Sequence, residues 1–121
     1  MVKALFDTNI LIDYLNGIPQ AREELDRYDD KAISIVTWME VMVGAEPVIE
    51  VATRDFLCGF DIIALDNMIA EHAIAFRKMS KSKLPDAIIW ASAQVNGLLL
   101  VTRNTKDFPA SNPGVRMPYA V

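Results

Sequence analysis

The sequence predicts an α/β fold with a single-layer parallel β-sheet flanked by helices on both faces, and three observations lead there. Short aliphatic or β-branched runs alternate with longer helical patterns, an order that demands crossover connections between parallel strands. The run Leu98–Val101 is apolar at every position, as a strand covered on both faces should be. The 121 residues are 52% hydrophobic with a single cysteine, Cys58, so a core forms with no intrachain disulfide to staple it. One domain over residues 1–121 is the expected organisation.

In chain order, Lys3–Phe6 reads as the first strand, and Asp7-Thr8-Asn9 supplies polar caps for a helix over Ile10–Leu15. Gly17 and Pro19 stop that helix. Gln20–Asp29 is the next, with Ala21, Leu25 and Tyr28 spaced to face inward; its acids Glu23, Glu24, Asp26, Asp29 and Asp30 read as a solvated face. Ala32–Val36 is a second strand, after which Thr37 caps a helix carrying Trp38, Val41, Met42 and Ala45 on one side. Pro47 suits the first turn of a helix over Val48–Cys58. Asp61–Leu65 is a third strand, Asp66 caps a helix reaching Lys78, and Ser80–Lys83 is a basic loop. Pro85–Asn96 is apolar almost all round, which predicts a buried helix ended by Gly97 at C′. Leu98–Val101 is the fourth strand and Val115–Met117 a fifth.

The net charge of −4 hides an asymmetry. Up to Ala75 there are five basic against fourteen acidic residues; from Phe76 onward there are seven basic against two acidic. Such segregation sets a cation-binding pocket beside an anion-binding rim, or else it is ordinary solvated charge. The N-terminus lacks the long apolar region of a signal peptide, and no apolar run approaches membrane-spanning length. With one cysteine, a soluble cytoplasmic protein with no membrane partner is expected.

Four carboxylates stand out against the apolar background. Asp7 closes the first strand, Glu40 lies inside Trp38–Val43, Asp86 opens the most apolar helix, and Asp107 follows the fourth strand by a short loop. Each has an ordinary explanation. Asp7 is as good an N-cap as a metal ligand. Glu40 can lie on the polar edge of its helix. Asp86 is favoured by the helix dipole, and Asn104 and Asp107 are common loop formers. Together they point to a hard divalent cation, because carboxylates near apolar surface need compensation and such cations take oxygen ligands from distant parts of a chain. In a parallel sheet, ligands bind beyond the carboxyl ends of the strands, where Asp7 and Thr102–Asp107 fall.

Four segments carry a family resemblance: Leu5-Phe6-Asp7-Thr8-Asn9-Ile10-Leu11-Ile12; Ser34-Ile35-Val36-Thr37-Trp38-Met39-Glu40-Val41 with Gly44; Leu84-Pro85-Asp86-Ala87-Ile88-Ile89-Trp90-Ala91-Ser92-Ala93; and Leu100-Val101-Thr102-Arg103-Asn104-Thr105-Lys106-Asp107-Phe108. In order and spacing the chain resembles the PIN-domain ribonucleases, above all the VapC toxins of toxin–antitoxin pairs. The resemblance implies a PIN-like three-layer sandwich. It implies that Asp7, Glu40 and Asp86 bind Mg²⁺ or Mn²⁺ for RNA hydrolysis, with Thr8 and Thr102 as polar helpers. Many family members carry an acid two residues after the threonine, where this chain has Asn104; Asp107, three residues later, completes the site or positions a water, which bears on whether one or two metals bind. The resemblance also implies single-stranded or looped RNA as substrate, a cognate antitoxin covering the pocket, and a homodimer. Ile12, Tyr14, Leu15 and Trp38 supply an antitoxin groove or pack in the core.

The residue types agree with this chemistry. Carboxylates and waters suit Mg²⁺ or Mn²⁺, whereas one histidine and one cysteine do not make a zinc site. His72 and Cys58 read as packing or surface residues. Arg77 and Lys78 lead into Lys81 and Lys83, which with Arg103 and Lys106 form a rim for RNA phosphates or a plain solvated helix end. Two alternatives remain: a PIN-like domain that binds RNA or protein without cleaving, and a phosphoacceptor receiver domain. The second needs paired acids after the first strand and an acceptor aspartate after the third; only Asp7 ends the first strand, and Asp66 is a weak acceptor.

Overall fold

A computed structural model describes residues 2–109 and 111–120. The elements are β1 (Ala4–Phe6), α1 (Thr8–Leu15), α2 (Pro19–Asp26), β2 (Lys31–Ser34), α3 (Ile35–Gly44), a 3₁₀ turn (Pro47–Ile49), α4 (Glu50–Leu57), β3 (Asp61–Ile63), α5 (Asn67–Met79), α6 (Leu84–Val95), β4 (Leu99–Val101) and β5 (Val115–Arg116). The strands form one five-stranded sheet in the order β3-β2-β1-β4-β5, and every pairing is parallel. Leu5 lies opposite Leu100, and Phe6 opposite Val101.

Side chains alternate across a strand, and the two faces fill separately. Ala4, Phe6, Ile33 and Val101 point to one side, where Ile10, Leu11, Leu25, Val41 and Leu57 from α1 to α4 cover them. Leu5, Leu100 and Val115 point to the other, against Ile89 and Ala93 of α6 and Phe108. On that second side Phe76, Trp90 and Phe108 stack with ring centroids 5.1 to 6.5 Å apart. The three-layer sandwich expected from the sequence is the fold observed.

Several boundaries differ from expectation, each for a local reason. The β-branched run ending at Val36 looked like continuous strand, yet Ser34 stops it: the Ser34 hydroxyl accepts from Val36 N at 3.1 Å and caps α3. Ile35 and Val36 are therefore helical, and Thr37 is a buried residue of the first turns rather than the cap. α2 ends at Asp26, so Tyr28 lies beyond it and returns its hydroxyl to Glu24. The helix expected over Val48–Cys58 splits at Ile49 into a 3₁₀ turn and α4, with Pro47 leading the turn. α6 buries Ala87, Ile89, Ala91, Ser92 and Ala93, but its Leu84 is half exposed, so the helix is not enclosed all round. Gly97 takes φ +64° just after α6, a left-handed conformation that favours glycine at a helix end.

One reading of surface charge is overturned. Glu24 is only 4% exposed and belongs to no solvated face. Arg116 of β5 reaches it with both guanidinium branches, at 2.7 and 3.0 Å. Burial works to raise the Glu24 pKa, but Arg116, the Tyr28 hydroxyl and Arg27 together hold it below the usual range.

Candidate active site at the sheet's switch point

Strand order reverses between β1 and β4: from β1 the chain builds outward through β2 and β3, then returns to lay β4 on β1's other side. The carboxyl ends of two such strands open a crevice that the crossover helices leave uncovered. Asp7 follows β1 and Thr102 follows β4, and Asp7 N donates to Val101 O at 2.9 Å, fixing the two ends together.

Asp7 is 4% exposed and serves as N-cap of α1. Its Oδ1 accepts from Thr8 N at 2.7 Å, while Oδ2 accepts from Thr102 Oγ1 at 2.7 Å and Asn9 Nδ2 at 3.2 Å. Desolvation pushes its pKa up to about 6, the hydrogen bonds from Thr102 and Thr8 pull the other way, and the charges of Asp86 and Glu40 add to the rise. The capping role that the sequence offered for Asp7 is present, and the same carboxylate lies within reach of the charges of Asp86 and Glu40. Asn9 was missed at the sequence level, where it looked like a second capping residue. Its Oδ1 also accepts from Arg103 N at 3.3 Å, tying the loop after β4 to α1.

The other acids come from three different elements. Glu40 is exposed on α3, and Thr8 Oγ1 donates to its Oε1 at 2.7 Å while lying 3.0 Å from the Thr37 hydroxyl. The earlier start of α3 places Thr37 one turn before Glu40, so both face Thr8. Asp86 sits in the first turn of α6, its pKa raised by burial first and then by Asp107 and Glu40, with Lys83 opposing. Asp107 is carried to Asp86 by a compact loop: Asn104 Nδ2 donates to Asp107 Oδ2 at 2.9 Å, Asp107 N to Asn104 Oδ1 at 3.2 Å, and Asn104 N to Thr102 Oγ1 at 2.9 Å. Asp7, Glu40 and Asp86 thus lie within electrostatic reach of one another, and Asp107 within reach of Asp86.

Among the described residues, no three acidic, histidine or cysteine side chains stand together as a ready ligand set for a metal ion. Proximity is present; direct ligation by three side chains is not. The donor set still fits one class of ion. It consists of carboxylate, hydroxyl and amide oxygens, and Mg²⁺ keeps several waters while taking one or two carboxylates directly. The nitrogen and sulfur groups are engaged elsewhere: His72 Nδ1 bonds the Met68 carbonyl on α5, and Cys58 is exposed at the end of α4.

Two surfaces border the acids. Ser80, Lys81, Ser82, Lys83, Lys106 and Asp107 wall a cavity of about 420 Å³. Val36, Met39, Glu40, Val43, Leu84, Pro85 and Ile88 line a mostly apolar groove between α3 and α6. Arg103, grouped with the basic rim on sequence, is not part of it. Its guanidinium grips the buried Asp13 of α1 at 2.5 and 3.0 Å, and Tyr119 donates to the same carboxylate at 2.8 Å. Asp13 gave no signal in the sequence because its partners are 90 and 106 residues away. A separate groove joins α1 to α2, lined by Tyr14, Leu15, Gly17, Ile18, Pro19 and Arg22. Ile12 and Trp38 instead pack against the core, with Arg54 5.3 Å over the Trp38 ring. Among the described residues, no helix is long and apolar enough to cross a membrane.

Comparison with known proteins agrees with this architecture. The PIN domain family model matches residues 4–110. The tRNA(fMet)-specific endonuclease VapC of Shigella flexneri is 32% identical over 120 residues, covering 89% of this chain and 91% of that protein. A chain of a toxin–antitoxin complex from Klebsiella pneumoniae is 52% identical with a TM-score of 0.91, covering 98% of this chain and 99% of its own. A chain of DNA-bound VapBC from Salmonella typhimurium is 27% identical with a TM-score of 0.78 over 96% of each. The chain belongs to the PIN-domain family and, within it, to the VapC type.

Proposed function

We propose that this protein is a metal-dependent endoribonuclease, the toxin of a type II toxin–antitoxin pair, with residues 1–121 forming a single PIN domain. The observation that carries the reading is the crevice at the switch point, where Asp86 and Glu40 raise the Asp7 pKa and Asp107 and Glu40 raise that of Asp86. Four acids so close repel an anionic substrate and one another; a cation between them removes both penalties. We assign Asp7, Glu40 and Asp86 to Mg²⁺ or Mn²⁺, with waters completing the shell. When bound, such an ion lowers the pKa of a water, aligns it with the scissile phosphate and offsets charge on the leaving oxygen.

The chain's own groups do the positioning. Thr102 and the Thr8 amide fix both Asp7 oxygens before any ligand arrives, and Thr8 Oγ1 holds Glu40 in the same crevice. Asn104 stands where relatives of this type often have an acid, and its hydrogen bonds deliver Asp107 to Asp86. That supports Asp107 as the fourth acid, set beside Asp86. It also favours cleavage over the binding-only alternative.

An antitoxin is part of the same reading, supported by the relatives' occurrence in toxin–antitoxin complexes. The α1–α2 groove, with Tyr14 and Leu15 on its wall, is the site we assign to it. RNA as substrate and a homodimer belong to the same proposal, and the exposed apolar side chains of Met39, Val43 and Leu84 support a second copy.

The test is cleavage of single-stranded RNA by the purified chain, with Mg²⁺, with Mn²⁺ and with chelator. Cleavage should require the cation and drop by at least about a hundredfold in Asp7→Asn, Glu40→Gln and Asp86→Asn, since each change removes transition-state charge stabilisation. Equal rates in wild type and all three variants would remove the basis for the assignment.

A further inference from the structure

We propose that the cavity walled by Ser80, Lys81, Ser82, Lys83, Lys106 and Asp107 is a phosphate subsite, holding the RNA backbone beside the acidic crevice. The inference rests on the ribonuclease reading above and extends it to where the strand lies.

The cavity and the acidic crevice share a wall. Asp107 lines the first from the loop after β4, and Lys83 lines it as the N-cap of α6, the helix whose first turn carries Asp86 of the second. An anion in this cavity therefore neighbours the reacting centre. Its cations are uncommitted. None of the ion pairs among the described residues involves Lys81, Lys83 or Lys106, whereas Arg103 and Arg116 are each bound to a buried acid. The three lysines come from two elements, the α5–α6 loop and the loop after β4, so a ligand between them is gripped from two sides.

The floor is built rather than loose. Ser80 Oγ donates to Phe76 O at 2.9 Å and lies 2.7 Å from Ser82 Oγ, and Ser82 is 2% exposed. Lysine ammonium groups with hydroxyls between them suit phosphate oxygens. No aromatic side chain lines the cavity, so it offers no platform on which a base would stack. The ligand chemistry is thus the sugar–phosphate backbone, read without regard to sequence. The groove on the far side of Glu40 is apolar and gives a phosphate no partner.

The experiment is steady-state cleavage of a single-stranded RNA oligonucleotide at saturating Mg²⁺, at several KCl concentrations. Wild type is compared with Lys83→Ala/Lys106→Ala, with Lys83→Arg/Lys106→Arg, and with Lys3→Ala, just before β1, as a control outside the cavity. Folding is checked by thermal melting. In the alanine pair KM should rise by about tenfold, kcat should stay within about twofold, and the salt dependence of KM should weaken by about one unit of log–log slope. The arginine pair should recover most of the KM, and Lys3→Ala should behave as wild type. Wild-type cleavage with unchanged KM and slope in the alanine pair overturns the subsite and leaves the ribonuclease reading standing. A loss confined to kcat also overturns it, because it moves the lysines into the chemical step. A wild type that cleaves no RNA under any of these conditions ends both.

Discussion

Asp7 caps a helix, joins two strands and walls an acidic crevice, and its burial sets how the protein answers to pH. Its pKa rises from 3.8 to about 6 in the folded state, chiefly through desolvation. The folded protein therefore holds this proton more tightly than the unfolded chain does. Between pH 4 and 6 the unfolded chain carries fewer protons, so stability falls as pH rises, and the full deficit is present above pH 6. A two-unit shift corresponds to about 3 kcal/mol. Asp86 shifts in the same direction. In chelator, the melting temperature should decline from pH 4 to 7, and Mg²⁺ at pH 7 should restore part of it. Asp7→Asn should raise the metal-free melting temperature at pH 7 and flatten the pH dependence while cleavage is lost. A variant that melts lower at every pH would show that the carboxylate stabilises the fold and is not held there against a cost.

At the level of elements, the loop after β4 is held by side chains the sequence gave no reason to pair. Arg103 and Tyr119 converge on Asp13, and Asn9 ties Arg103 N to α1 beside Asp7. Breaking a largely buried ion pair from one side costs about 3 kcal/mol or more, because the remaining charge is stranded. Arg103→Met should therefore destabilise the protein by about that amount, and amide exchange should quicken through residues 102–108 as Thr102 and Asn104 lose their anchor. The accompanying fall in cleavage should be mainly in kcat, since Thr102 positions Asp7. Unchanged exchange in that loop would show that Arg103 does not hold it. The boundary of α3 teaches a related lesson. Ile33-Ser34-Ile35-Val36 is β-branched enough to read as strand, and only the Ser34 cap, visible in hindsight as a serine before a helical run, sets the register that turns Thr37 and Glu40 toward Thr8.

Across the whole molecule, what the sequence made legible was whatever is local. Alternating apolar runs and helical spacing are properties of neighbouring residues, and they gave the parallel sheet and its two covered faces. Asp7, Glu40 and Asp86 were legible because each borders or interrupts an apolar run, and Asp107 because it follows the fourth strand by a short loop; the fold brings Asp7 near Glu40 and Asp86, and Asp107 near Asp86. Glu24 was not legible: one acid among the five between Glu23 and Asp30 looks solvated until Arg116, 92 residues later, arrives in β5. Nor was the commitment of Arg103 to Asp13, for the same reason. The α1–α2 groove and the lysine-walled cavity share no lining residue, so the antitoxin and phosphate assignments proposed for them are separable by mutation. Leu15→Asp, at an exposed position on that groove, should abolish co-purification with the co-expressed antitoxin and leave RNA cleavage within about twofold, because truncating a hot-spot contact costs binding and not chemistry. Retained antitoxin binding would move the interface elsewhere.

The gathering of Asp7, Glu40 and Asp86 around a single cation is tested most directly by calorimetric titration of the metal-free protein with Mn²⁺ at pH 7. Wild type should bind with an affinity that Asp7→Asn, Glu40→Gln and Asp86→Asn each weaken by about tenfold or more, while Arg22→Ala binds as wild type does. Mn²⁺ binding that survives all three substitutions unchanged would contradict a shared ion at the crevice between β1 and β4.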